Sequence, residues 1–409
     1  MSNIMSNTAG RRNIVLFCAV LINLQLGMSY SWSVFSKALI ELKGWDTAEA
    51  VLPSTILSIA YAVSMFVFGF FQEKYGPRAT VRIGALLLGG GLILSGLCTT
   101  VAGVTIGYGI LHGCGVGACF STTQATTLKW IPLSRQGRVT GVISSAYGLS
   151  SVLMSVIAEF IINKAGLAEA FCGLGVGIAI LTFTAGSFFR LPEKGEVVED
   201  EQPMMAEAAG ADNSADKNFA EMMKTKAFWF LLGAYIFGAA AAITPVNHIS
   251  MIASLQGGLE NGFIFVSIMS IFNCIGRLAG GYLGDKFTER KVLLVISIVN
   301  LANLVMFRQY TSFIPLAAGC VIDGLHVGVI MALTPVLVSK LFGKTYCAQN
   351  YGAIAFFGLL SGIIGSQLAG YMVDMTGNYN SSYIVCAVYM VLAAFFVWGL
   401  PQKKFRKNK

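Results

Sequence analysis

Twelve apolar runs, each long enough to cross a bilayer, alternate along the chain with short polar connections. They lie near residues 13–37, 50–72, 82–101, 104–128, 138–162, 167–190, 226–252, 261–284, 291–308, 312–340, 347–372 and 379–400. A membrane-crossing helix needs about 20 consecutive, mostly apolar residues, and each run can supply one. The pattern predicts an all-α membrane protein with twelve transmembrane helices in two six-helix bundles. A polar stretch from Leu191 to Lys224 divides six from six. It carries Glu-Lys-Gly-Glu-Val-Val-Glu-Asp-Glu and an Ala/Asn/Asp-rich tract, so it reads as a flexible linker. The expected organisation is a bundle over 1–190, a linker over 191–224 and a second bundle over 225–409.

Composition supports this. Of 409 residues, 55% are hydrophobic and only 12% charged, against about 25% charged in a soluble domain. Soluble-enzyme readings fail on that ground, and the sequence shows no Ser/His/Asp set, metal cluster or phosphate loop; no cofactor or metal is expected. The net charge of +8 does not predict nucleic-acid binding, because the basic residues fall at helix ends on one side. That side holds Arg11-Arg12, Lys74/Arg78/Arg82, Lys129/Arg135/Arg138, Lys286/Arg290/Lys291, Lys340/Lys344 and the basic tail, whereas the opposite side holds only Lys37, Lys43, Lys164 and Arg308. The excess of Lys and Arg on cytoplasmic loops then places both termini and the linker in the cytoplasm of a multi-pass protein of the cell (inner) membrane. No cleavable signal is evident, since the first run continues past Tyr30-Ser31-Trp32. The nine cysteines form no C-x-x-C pair and read as small apolar residues.

The two halves repeat each other. Gly69-x-x-x-Glu73-Lys74-x-Gly76-Pro77-Arg78 follows the second run, and Gly281-x-x-x-Asp285-Lys286-x-Thr288-x-Arg290-Lys291 follows the eighth. Lys129-Trp130-Ile131 matches Lys340-Leu341-Phe342, and Leu191-Pro192 matches Leu400-Pro401. Paired halves of this kind place a substrate site at the repeat interface near the midplane. On these loops the sequence resembles the major facilitator superfamily, with Glu73 in place of the commoner Asp and Thr288 in place of the second loop's Gly. The resemblance implies two pseudo-symmetric bundles. It also implies that Gly69, Glu73, Arg78, Gly281, Asp285 and Arg290 form conformational latches.

A narrower resemblance is to the group of oxalate/formate antiporters and monocarboxylate transporters. It rests on Gly27-x-x-Tyr30-Ser31-Trp32, Gly113-x-Gly115-x-Gly117, Lys129-Trp130-Ile131-Pro132, Asn273-x-x-x-Arg277 and Asn350-Tyr351-Gly352. It implies that Arg277 binds the anion and that Tyr30, Phe120 and Tyr147 line a central cavity. The oxalate exchanger also has an intramembrane lysine where this chain has Gly358, and cavity aromatics where this chain has none. One fixed cation balances one carboxylate, and a dianion would bring an unpaired charge into low dielectric. The expected substrate is therefore a small monocarboxylate such as lactate or pyruvate.

The residues carry their own argument beside the resemblance. Arg at the centre of a membrane helix costs about 2.5–3.5 kcal/mol, so Arg277 needs a partner or an anionic ligand. The ligand reading is a carboxylate gripped by the guanidinium. The alternative is a buried ion pair with Asp323, which lies at a depth within several ångströms of Arg277 at about 1.5 Å per residue. Asn273 lies one turn before Arg277; it is equally readable as a donor to substrate or as a helix–helix hydrogen bond. Asp323 and His326 share a face at i,i+3 and form the preferred proton site. The bland alternative is that Asp323 only neutralises Arg277. His112 is a further proton candidate, for which a structural hydrogen bond is the favoured reading, and His248 is weaker still. Gly113-Cys114-Gly115-Val116-Gly117 is no dinucleotide fingerprint, because no strand precedes it, and reads as a site of close helix approach.

The expectation is thus a monomeric proton-coupled carrier of a small monocarboxylate anion, embedded in the lipid bilayer. Its rivals are a carboxylate exchanger and a transporter-like sensor; the short linker and tail argue against the sensor.

Overall fold

The computed structural model describes residues 2–98, 100–193, 216–259 and 262–401, with the side chains of all of these except 2–8, 30 and 151. Among the described residues, twelve helices are long and apolar enough to cross a membrane. They are α1 (Ala9–Lys43), α2 (Thr47–Tyr75), α3 (Pro77–Leu97), α4 (Val101–Trp130), α5 (Leu133–Ala165), α6 (Leu167–Gly186), α7 (Lys226–Gly257), α8 (Gly262–Phe287), α9 (Glu289–Phe307), α10 (Phe313–Phe342), α11 (Cys347–Thr376) and α12 (Asn380–Trp398). The protein is an all-α membrane protein, as the apolar runs predict.

Six of the helices, α1–α5 and α9, start before their apolar runs do. The run begins where charges stop, but the helix begins where its first turn is capped. The third run is expected from residue 82, yet α3 starts at Pro77, whose missing N–H costs nothing at the first helical position. At the start of α2, the Asp46 backbone N–H donates to Glu49 Oε2 at 3.0 Å, half of a capping box. At α7, the Thr225 hydroxyl accepts from the Phe228 N–H at 3.2 Å.

By contacts, the chain forms two units. The first comprises Met1–Phe219 with Val338–Phe356; the second comprises Ala220–Leu337 with Phe357–Lys409. The end of α10 and the start of α11 therefore pack with the first six helices, although they lie in the second half of the sequence.

Glycines set the closeness of packing within each unit. In the first, the glycine triplet of α4 is shared between two neighbours. A Cβ at Gly113 would meet the Leu57 carbonyl of α2 at 3.0 Å, and one at Gly117 would meet Ser64 of α2 at 2.9 Å. A Cβ at Gly115 would meet the Leu88 backbone of α3 at 2.6 Å. Close helix approach is the role the triplet plays here. In the second unit, Gly276, Gly280 and Gly284 of α8 face Leu325, Val329 and Leu333 of α10. Gly324 and Gly328 of α10 return the contact onto Met269, Asn273 and Arg277.

Candidate functional site

Arg277 lies on α8 and is 3% exposed. Its Nε–H donates to Asn273 Oδ1 at 2.8 Å, one helical turn away. Asn273 therefore fixes the plane of the guanidinium, and with it the direction of its two terminal NH2 groups. A Cβ at Gly328 would lie 2.7 Å from the Arg277 backbone nitrogen. Only a glycine lets α10 come this close behind the arginine.

Asp323 does not neutralise Arg277. Its Oδ1 accepts from Asn300 Nδ2 of α9 at 3.0 Å, and its Oδ2 accepts no hydrogen bond. Asp323 and His326 are both fully buried, yet no hydrogen bond joins them, and neither ring nitrogen of His326 has a partner. The i,i+3 spacing puts them on one side of α10, but Asp323 turns to α9 while His326 faces Gly238 of α7, whose Cβ would lie 4.0 Å from the ring.

His112 makes a structural hydrogen bond. Its Nδ1–H donates to the Leu88 carbonyl of α3 at 3.0 Å, and its ring stacks on Tyr108 at 5.2 Å. It ends a wide π-type stretch of α4, Thr105–His112. His248 is likewise held: Nε2–H donates to the Ser366 carbonyl at 3.1 Å and Nδ1 accepts from the Tyr379 hydroxyl at 3.0 Å.

The first unit gathers aromatics. Phe120 meets Tyr147 edge-on at 5.2 Å and lies 5.9 Å from Tyr61 and 6.4 Å from Tyr351. The Tyr147 hydroxyl is 2.8 Å from the Ser29 hydroxyl. Sequence reasoning singled out Phe120 and Tyr147 but missed Tyr61, which stands in a run that also carries Ser54, Thr55, Ser58 and Ser64 and so does not stand out. The side chain of Tyr30 lies outside the described residues. Gly358 stands at a break in α11, where its carbonyl accepts the Ser361 N–H at 2.9 Å.

The loop after α2 holds the start of α11. The Gln349 backbone N–H, in the first turn of α11, donates to Glu73 Oε1 at 3.3 Å, and the Gln349 amide donates to Glu73 Oε2. A carboxylate there satisfies an otherwise orphan helix N–H and faces the positive end of the helix dipole. Gly69 makes the approach possible: its Cβ would sit 2.6 Å from Gln349 Cα. Lys129 Nζ donates to the Thr345 carbonyl at 2.8 Å, and Lys344 Nζ donates to the Ile131 carbonyl at 3.0 Å. The chain just before α7 joins in: Asn350 Nδ2 donates to the Lys217 carbonyl at 2.8 Å.

The two Arg residues of the repeated loops brace helix ends. Arg78 Nε–H donates to the Phe189 carbonyl beyond α6 at 3.3 Å. Arg290 donates to the Leu400 carbonyl beyond α12 at 2.9 Å and to the Trp398 carbonyl. Gly281 and Asp285 lie on the last turns of α8.

Known proteins resemble this chain along its length. The oxalate:formate antiporter of Oxalobacter formigenes is 26% identical over 410 residues, spanning 97% of this chain and 95% of the relative. Monocarboxylate transporter 13 of Bos taurus is 25% identical over 399 residues, 93% of this chain and 89% of the relative. An uncharacterised transporter of Escherichia coli, YhjX, is 26% identical over 362 residues, 85% of each. Among solved structures, the proton:xylose symporter XylE superposes with TM-score 0.75 at 15% identity, covering 97% of each chain. FucP in its outward conformation gives TM-score 0.72 at 13% identity, covering 96% of this chain and 99% of its own. Likeness at that identity concerns the fold alone. The sequence profile described as Major Facilitator Superfamily matches residues 14–303 and 258–409. Matched in both halves of its sequence, the protein is a membrane transporter and belongs to the major facilitator superfamily.

Proposed function

We propose that the protein is a secondary carrier of a small monocarboxylate of the lactate or pyruvate type, moved together with a proton by alternating access. It sits as a monomer in the cell membrane with both termini in the cytoplasm. The observation that carries the reading is the buried Arg277 guanidinium, oriented by Asn273. A substrate carboxylate beside it would neutralise the charge and let the site close without an unpaired ion. Phe120, Tyr147 and Tyr30 are further substrate-contact candidates, as the family resemblance implies. The proton would ride on Asp323, whose carboxylate Arg277 does not hold; His326 and His112 are secondary candidates. Glu73 with Gly69 and Arg78, and Asp285 with Gly281 and Arg290, would latch the conformation through the helix ends they meet.

The names of two relatives favour carboxylate substrates. The antiporter among them also supports a second reading, exchange of one carboxylate for another. The glycine at position 358 weighs against a dianion, because that position offers no side chain to hold a second charge.

Uptake of radiolabelled lactate or pyruvate into proteoliposomes tests the proposal. An inward proton gradient is expected to drive accumulation. Arg277→Ala is expected to lower uptake about a hundredfold, and Arg277→Lys about tenfold, because an ammonium cannot reproduce the fork. No uptake of any C2–C5 monocarboxylate would sink the substrate class, and full uptake by Arg277→Ala would sink the site. Rates that ignore the gradient but require internal carboxylate would establish exchange instead.

A further inference from the structure

A groove in the second unit takes no part in the roles above. It runs between α9 and α12, which pack along one another. Leu301, Leu304, Val305 and Arg308 form one wall, at the i, i+3, i+4, i+7 spacing of a single helix stripe. Asn380, Ile384, Ala387, Val388 and Val391 form a matching stripe on α12. Leu304 and Tyr383 are buried at its base, while Val305, Ile384, Val388 and Val391 are exposed along it. The space between the stripes is about 470 Å³, within the range of about 300–1,000 Å³ that holds small molecules. Short side chains leave this room: Ala387 on the α12 wall, and the valines at 305, 388 and 391. Exposed apolar residues on two membrane-crossing helices face lipid, so the groove opens towards the bilayer.

One end of the groove is polar. Arg308 follows the last residue of α9, Asn380 is the first of α12, and both line that end. The two helices cross in opposite directions, so this end lies on the face opposite the start of α7. Arg308 is exposed and, among the described residues, has no hydrogen-bond or ion-pair partner. The positive end of the α12 dipole adds to its charge. From Asn380 to Leu392 the α12 wall is about 18 Å long at 1.5 Å per residue. One leaflet holds about 15 Å of hydrocarbon. The groove thus has the length of a lipid tail and a cation where the headgroup would lie. A second copy of the chain suits it less. In a twofold dimer the same patch meets itself, so Arg308 would approach a second Arg308.

We propose that this groove binds one anionic phospholipid, with an acyl chain lying between α9 and α12 and the phosphate on Arg308. The guanidinium fork matches two phosphate oxygens, and the Asn380 amide offers a further donor. A zwitterionic lipid presents the same phosphate but brings its own cation, which competes with Arg308 for it. The site therefore selects by headgroup charge and holds by the chain. The inference depends on α9 and α12 crossing the membrane and not on which substrate the carrier moves, so its failure would leave the carboxylate reading untouched.

Native mass spectrometry of the purified full-length carrier tests it, in micelles doped with equal amounts of phosphatidylglycerol and phosphatidylcholine of the same acyl chains. The one-lipid adduct of the wild type is expected to favour phosphatidylglycerol about fivefold. Arg308→Gln is expected to bring that ratio within about twofold, and Arg308→Lys to keep most of it. Val388→Trp fills the groove without touching the charge and is expected to lower the adducts of both lipids. Both residues are exposed, so neither change opens the core. Glycerol phosphate, which has no chain, is expected not to displace the lipid; displacement by it would mark a free-phosphate site and overturn the proposal. No headgroup preference in the wild type, an unchanged preference in Arg308→Gln, or unchanged adducts in Val388→Trp also overturns it. A dimer in place of the lipid adduct would assign the face to a second copy and overturn it as well.

Discussion

The loops that follow α2 and α8 are near copies in sequence, and they share one piece of architecture. Arg78 reaches the carbonyl of Phe189 past α6, and Arg290 reaches those of Leu400 and Trp398 past α12. In both, a guanidinium meets the negative end of the last helix of its half. Their backbones turn alike as well: Gly76 has φ 83° and Thr288 has φ 102°. They differ in how the turn is made and in what the first loop holds. Glycine takes positive φ without strain, whereas threonine at Thr288 is the one non-glycine residue at positive φ among those described. The first loop also carries Glu73, bonded to the first turn of α11. The repeat thus preserves the brace within each half, while the clasp on α11 depends on a partner that the loop sequence itself does not encode.

The largest expected effect comes from breaking that clasp. Glu73→Ala removes the acceptor for the Gln349 N–H, a loss of about 1–2 kcal/mol that corresponds to about a five- to thirtyfold shift in how often the start of α11 opens. Cys347, the first residue of α11, is 1% exposed and reports on it. Its alkylation by a maleimide, read by mass spectrometry, should accelerate about tenfold in Glu73→Ala and much less in Glu73→Gln. An unchanged rate would show that Glu73 does not hold the helix.

The braces should be worth less, and about the same as each other. Arg78→Ala and Arg290→Ala are each expected to cost about 0.5–1.5 kcal/mol, seen as a fall of a few degrees in the melting temperature of the purified carrier. Costs that differ severalfold would break the symmetry of the two loops.

The smallest effect should be a gain. Thr288→Gly restores the residue that the first loop uses at this turn and relieves the strained φ, for a stabilisation of about 0.5–1 kcal/mol. A lower melting temperature in this variant would mean that the threonine side chain contributes more than its backbone costs.

The twelve helices were legible because bilayer thickness imposes a run length that composition displays. Arg277 was legible for a related reason: a guanidinium in such a run is conspicuous, and the spacing of Asn273 pointed to its neighbour. Rotation about the helix axis was not legible. The alternative pairing of Arg277 with Asp323 required α10 to present the carboxylate to α8, and the structure presents it to Asn300 of α9. Equal depth cannot distinguish these. The signal for the true partner was present, since Asn300 and Asn303 stand at i,i+3 in a run whose interior is otherwise apolar except for Ser297. The contact of Glu73 with Gln349 spans 276 residues in the chain and depends on Gly69 for clearance, so no local pattern announces it.

The glycine seam between α8 and α10 has a mechanical consequence. With Gly276, Gly280 and Gly284 on one side and Gly324 and Gly328 on the other, each backbone lies in the notches of its neighbour. Sliding by a fraction of a turn would drive Leu325 or Asn273 into main-chain atoms. The seam therefore resists sliding: with no side chain between the two backbones, Arg277 keeps a fixed bearing on Gly328 of α10.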